Sequence, residues 1–508
     1  MYKEKKRTTV NIIFSILGMI INYGINFVLT PYILRNLGSE AYGFTSLSTT
    51  MVNYLIVITG ALNSYACFSI SYEYHKMNYK RANGFFSSLF IANVILALII
   101  FVIGCLYVKN VQVLLNISNS LVYDVKIIFM LVLINYMISI LGTPFSISTF
   151  IKNRLDLSSI CNICGYFINS LGIICLFIRF APKIWYMSLI AIAVSIFTLG
   201  CNILFTKYLT PELKINHKFF SLSYIIELLK LGIWSSIGRM GLILSDGLDI
   251  LITNLMLDGI TMGQVSLAKV VPTMAYNVIY QISVTFQPTQ VRLWAENKKE
   301  ELIKDLKESM IIIGIFSNII FCGFCSIGRD FLNLWVPTEN IQFIFELTFL
   351  GMVGSVLVGA VYPLVYTNAL SKRLKGPCIV NLISGFTNVV FMYILLKITC
   401  YGAYIIVGTS AFLSIIVHYI YVPIHSANNL KVKWYIFYYE IAKSLIACGI
   451  TLGVFKTIRN HYVPNSWGKI FLIVIFLSMI GLLINFVFIT NKNQKKKIIY
   501  YINSKINH

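Results

Sequence analysis

Charge is what this sequence has least of. Only 12% of its 508 residues are charged, and acids are the scarcer sign, with 19 Asp and Glu against 41 Lys and Arg. With 57% hydrophobic residues and a mean hydropathy of +0.78, this composition excludes a soluble globular chain of any class. Catalytic signatures are lacking too. No G-x-x-x-x-G-K-[ST] loop, H-E-x-x-H or G-x-S-x-G occurs, and His75, His217, His418, His425, His461 and His508 are scattered. No enzyme activity, cofactor or metal is therefore expected.

What is abundant is apolar length. Runs too long for barrel strands recur from Val10 almost to the end, separated by short polar breaks, so the expected fold is an all-α polytopic membrane protein. Hydropathy places about fourteen spans, at 10–34, 44–70, 85–108, 127–150, 158–180, 185–206, 231–257, 266–290, 309–327, 344–368, 377–397, 402–423, 440–458 and 468–489. The start, MYKEKKRTTV, resembles a signal peptide, but the apolar run after it is too long and has no small-residue cleavage site, so it reads as a permanent span.

The basic residues fix an orientation. The amino terminus and alternate loops hold about 29 of the 41, and the opposite loops about 10, which predicts cytoplasmic termini in the bacterial cytoplasmic membrane. Spread over short loops, they form no nucleic-acid patch. The tail NKNQKKKIIYYINSKINH is expected to rest on anionic membrane lipids. Cys161 with Cys164 and Cys322 with Cys325 have C-x-x-C spacing, but without a second ligand pair they read as small packing residues.

A shift of about 220 residues lays the first two spans on spans seven and eight. Leu37 and Gly43 in LGSEAYG then match Leu257 and Gly263 in LDGITMG, each pair bounding a tight outer turn. Six spans return the chain to the same side, so the repeat is parallel. The expected organisation is an N-lobe at 1–206, a hinge-like cytoplasmic linker at 207–230, a C-lobe at 231–423 and two added helices with a basic tail at 424–508, the lobes flanking a central cavity. RLWAENKKEELIKDLKE, from Arg292 to Glu308, alternates acids and bases and predicts a short solvated helix.

Span seven, LGIWSSIGRMGLILSDGLDILITNLML, carries Arg239, Asp246 and Asp249 where each charge costs several kcal/mol unless it faces protein or water. On an ideal helix Arg239 and Asp246 fall within about 20° of one face, Asp249 lies about 60° away, and Arg239 sits about 10 Å from Asp246 along the axis. Lys269, on span eight, is placed to reach towards Asp249. The functional reading is a cavity wall where Arg239 and Lys269 bind an anionic group while Asp246 and Asp249 take a coupling H+ or Na+. The competing reading is a neutralised cluster that locks two helices, with Lys269 snorkelling to the interface. Asn22, Asn26, Asn53, Asn63 and Tyr65 suit either sugar contacts or helix-to-helix hydrogen bonds. Pro31, Pro144, Pro272, Pro288 and Pro363 allow kinks.

The first hairpin, FVLTPYILRNLGSEAYGF, resembles the opening of the bacterial polysaccharide transporter family, within the multidrug/oligosaccharidyl-lipid/polysaccharide exporter superfamily. The resemblance is carried by Leu37, Gly38, Glu40, Tyr42 and Gly43. QPTQVRLWAENKKEEL, with Pro288 before a charged loop, adds to it. It implies two six-helix lobes and alternating access that moves an undecaprenyl-diphosphate-linked oligosaccharide from the cytoplasmic to the outer leaflet. A polysaccharide polymerase and a chain-length regulator are the protein partners it implies. Two alternatives stand beside it. A multidrug exporter of the same superfamily would favour an acidic cavity, against which Arg239 counts. A multi-span glycan polymerase or glycosyltransferase needs charged residues in an outer loop, where only Arg329, Asp330 and Glu339 are available.

Overall fold

A computed structural model describes residues 2–489 other than 372 and 374, with side chains at 21 and 23–488. The expectations for the first basic side chains, Asn22 and the tail 490–508 fall outside the described residues. Among the described residues there are helices and no strands. The physical reason is that hydrocarbon offers backbone groups no partner, so each span must satisfy its own.

Eleven described helical runs, not fourteen, are long and apolar enough to cross a membrane. The difference has two sources. The run Tyr23–His75 joins the end of the first predicted span to the whole of the second, while spans seven and eight lie on helices too interrupted to qualify.

Contacts divide the chain into two compact units, Met1–Gly263 with Cys378–Gly385, and Gln264–Pro377 with Phe386–His508. In the first unit the elements are α1 (Tyr2–Asn63), α2 (Ala66–His75), α3 (Tyr79–Lys109), α4 (Val122–Gly142), α5 (Leu155–Arg179), α6 (Tyr186–Leu209), α7 (Leu222–Leu242) and α8 (Asp249–Met256). α1 is two helices joined at Gly38, whose φ of 81° and ψ of 171° suit a residue without Cβ. Its second half packs on α7 through small residues. A Cβ at Gly232 would stand 1.8 Å from the Ala61 carbonyl oxygen, and the Ser236 hydroxyl donates to the Val57 carbonyl at 2.9 Å. The two turns paired by the repeat touch each other: a Cβ at Gly43 would meet Gly263 N at 2.8 Å, and one at Gly263 would meet Ser39 O at 1.9 Å.

The segment 207–230 is strapped along the start of α3. Asn83 donates to Glu212 O (3.0 Å) and accepts from Lys214 N (2.7 Å). Ser87 and Ser88 accept from Asn216 N (3.1 Å) and Ser221 N (3.0 Å). Tyr74 donates to Glu212 at 2.7 Å, which holds that carboxyl below the ordinary carboxylate range.

The second unit is built on α9 (Lys299–Trp335), 37 residues long. The expected short solvated helix is not separate. A turn at Asn297, with φ 55°, ends Gln287–Ala295, and the charged residues after it form the first turns of α9, continuous with span nine. α9 packs on α10 (Tyr438–His461) and α11 (Trp467–Ile489). Asn318 donates to Asn485 at 2.9 Å, and Asn485 to Thr451 at 3.0 Å, an amide chain that ties the three helices inside the bundle. Pro144 lies just past the end of α4, while Pro288 and Pro363 open short helices, where a missing N–H costs least.

Candidate functional site

Arg239 lies in the last turn of α7 and is exposed. Gly60 makes room for it. A Cβ there would lie 3.2 Å from Ser236 Oγ and 3.7 Å from Arg239 Cδ, so the aliphatic stem runs along the glycine face of α1. On another face, Gly238 and Gly241 admit the stretch Cys378–Gly385, with Cys378 and Asn381 against them. Arg239 makes no ion pair among the described residues.

The helix does not continue as α past this point. Ile243–Gly247 is a π turn, Leu248 caps it, and α8 starts at Asp249. A π turn inserts one residue and rotates the next turns of the helix by about 100° relative to a continuous α-helix. The one-face geometry expected for the three charges therefore does not hold. Asp246, inside the π turn, is exposed, while Asp249 is only 1% exposed. Tyr54 of α1, which sequence reasoning passed over, donates to the Gly247 carbonyl at 2.6 Å and so pins the π turn. Its only signal in the sequence was a phenol beside Asn53 on span two.

Beyond Asp249, α8 is locked to the loop after α3. Asn116 N donates to Asn254 Oδ1 (3.0 Å), and Asn254 Nδ2 returns a bond to Asn116 O (3.0 Å). Glu40 of the LGSEAYG turn accepts from Ser118 N at 2.9 Å. Lys269 belongs to the second unit, where it is the half-buried cap of Val270–Val284. Asn63 makes helix-to-helix bonds, exchanging amide hydrogen bonds with Asn93 at 3.0 and 3.1 Å.

The outer charged residues weighed for polymerase chemistry are structural in part. Arg329 and Asp330 lie on α9, not in a loop. Arg459 grips Asp330 through two bonds of 3.0 and 3.1 Å, and Arg329 lies over the Phe345 ring. Among the described residues no group of three or more His, Cys, Asp or Glu is placed to hold a metal ion.

The family model described as polysaccharide biosynthesis protein matches residues 9–294. The chain belongs to that family. Over 491 residues it is 24% identical to the uncharacterized membrane protein EpsK of Bacillus subtilis (strain 168), with 97% of each chain covered. Its fold is similar to that of the lipid II flippase MurJ in an inward closed conformation, with TM-score 0.65, 14% identity, and 93% of this chain and 98% of that one covered. A multidrug resistance MATE transporter of the MOP superfamily, inward-facing, gives TM-score 0.64 and 14% identity over 82% of this chain and 95% of that one. This member of the polysaccharide biosynthesis protein family is thus a multi-pass membrane protein whose fold is similar to those of the MurJ flippase and the MATE transporter.

Proposed function

We propose that this protein flips undecaprenyl-diphosphate-linked oligosaccharide repeat units from the cytoplasmic to the outer leaflet of the bacterial cytoplasmic membrane, by alternating access of two lobes, for surface polysaccharide assembly. The observation that carries the reading is Arg239, an exposed guanidinium without an ion pair among the described residues, on a broken span of a polysaccharide-family chain. A planar fork of donors suits a diphosphate, and a low dielectric enlarges the attraction. Lys269 adds a second positive charge. Asp246 and Asp249 carry the coupling H+ or Na+, the exposed one exchanging the ion and the buried one sensing it.

The lobes are 1–206 and 231–423, linked by 207–230 and followed by 424–508, with both termini cytoplasmic. A polymerase and a chain-length regulator consume the exported unit. Export of an amphipathic drug is the second reading, favoured by the fold shared with the MATE transporter. Deletion of the gene, followed by separate assay of lipid-linked oligosaccharide in the two leaflets, tests the choice. Accumulation on the cytoplasmic side is expected, and normal outer-leaflet delivery in a strain without a redundant flippase would remove the proposal.

A further inference from the structure

Within the first unit, away from the Arg239 helix, lies a cavity of about 440 Å³. It is bounded by α1 on both sides of the Gly38 kink and by α4, α5 and α6. More than half of its lining side chains are polar, yet none is charged. The size is that of a small-molecule site.

The hydrogen bonds show which polar atoms remain available. Thr45 and Thr49 spend their hydrogens on the Tyr42 and Ser46 carbonyls of their own helix, at 2.7 and 2.8 Å, which leaves lone pairs to accept. Asn135 accepts the Ser195 hydroxyl at 2.5 Å through Oδ1, and its Nδ2 has no partner among the described residues. The Asn169 amide and the Ser46 hydroxyl are likewise without partners there.

This is not how helix-joining amides behave in the same unit, where Asn63 and Asn93 satisfy each other. A polar group at membrane depth without a protein partner requires water or a ligand. The set excludes charged ligands on chemical grounds, since it offers a cation no carboxylate and an anion no base. It does match hydroxyls, each of which donates and accepts, and Leu29, Ile33 and the Tyr42 ring supply an apolar wall for the C–H face of a sugar ring.

We propose that this cavity is the subsite for neutral sugar residues of the translocated lipid, separate from the helix that meets its diphosphate. The assignment rests on the transport reading above and adds to it the part of the protein that senses glycan.

The test uses the full-length purified protein and two probes: the lipid-linked oligosaccharide that a deletion strain accumulates, and undecaprenyl diphosphate without sugar. Wild type should bind the glycosylated lipid at least about tenfold more tightly, the worth of one to two net hydrogen bonds. Asn169→Leu should erase most of that difference and leave affinity for undecaprenyl diphosphate unchanged. Ser46→Ala, a milder change that preserves packing, should reduce the difference in the same direction. Equal affinity of wild type for the two lipids, or an intact difference in both variants, would overturn the subsite alone. A deletion strain that accumulates no glycosylated lipid would remove the transport reading and the subsite with it.

Discussion

Arg239 and Asp246 have opposite charge, lie seven positions apart, and both remain exposed although Asp246 sits inside the π turn that follows the Arg239 helix. If the guanidinium binds diphosphate, Arg239→Ala should cut export about tenfold or more at unchanged protein level, and Arg239→Lys should fall nearly as far because an ammonium lacks the bidentate fork. Export by Arg239→Ala at the wild-type rate would reduce the residue to packing along Gly60. Asp246→Asn removes a titratable carboxylate with little change in shape. In proteoliposomes it should flatten the dependence of transport on a pH or Na+ gradient, and full retention of that dependence would take the coupling role from it. The three charges were legible in the sequence because hydrocarbon makes any charge conspicuous. Their separation into exposed and buried was not, since a π turn is one extra residue with no compositional mark, and Tyr54 acts on it from 193 positions away.

Glycine sets how closely the elements approach. Gly43 and Gly263, equivalent in the repeat, press on each other, and Gly263 faces the Ser39 carbonyl with no room for a Cβ. Gly263→Val therefore has to separate two backbones and should cost about 1–3 kcal/mol or more, seen as a lower Tm of the detergent-purified protein. Gly24 has open space around its ideal Cβ, so Gly24→Ala is the matched control and should melt like wild type. Matched spacing pairs these turns in the sequence, but their mutual contact was not legible there, because spacing carries no information on which surfaces meet. Helix lengths show the same limit. α9 runs on from a charged start into an apolar span because nothing between Glu308 and Ile311 breaks a helix, although hydropathy alone sees two segments.

At the scale of the whole molecule, a polytopic helical fold followed from composition, since long apolar runs in lipid leave a backbone one solution. The LGSEAYG hairpin pointed to the family that the match over residues 9–294 establishes. Of the uncharged cavity of the first unit only Asn26 stood out in the sequence, because the other Ser, Thr and Asn that line it are spread over four helices and each is an ordinary membrane-helix residue by itself. The central claim is translocation of a lipid-linked oligosaccharide. Its most direct measurement is reconstitution of the purified protein into liposomes carrying that lipid in both leaflets, followed by attack with a membrane-impermeant glycosidase. The account predicts that the half initially protected becomes accessible in the presence of the protein, and more slowly with Arg239→Ala. Protection of that half at the level of protein-free liposomes would contradict it.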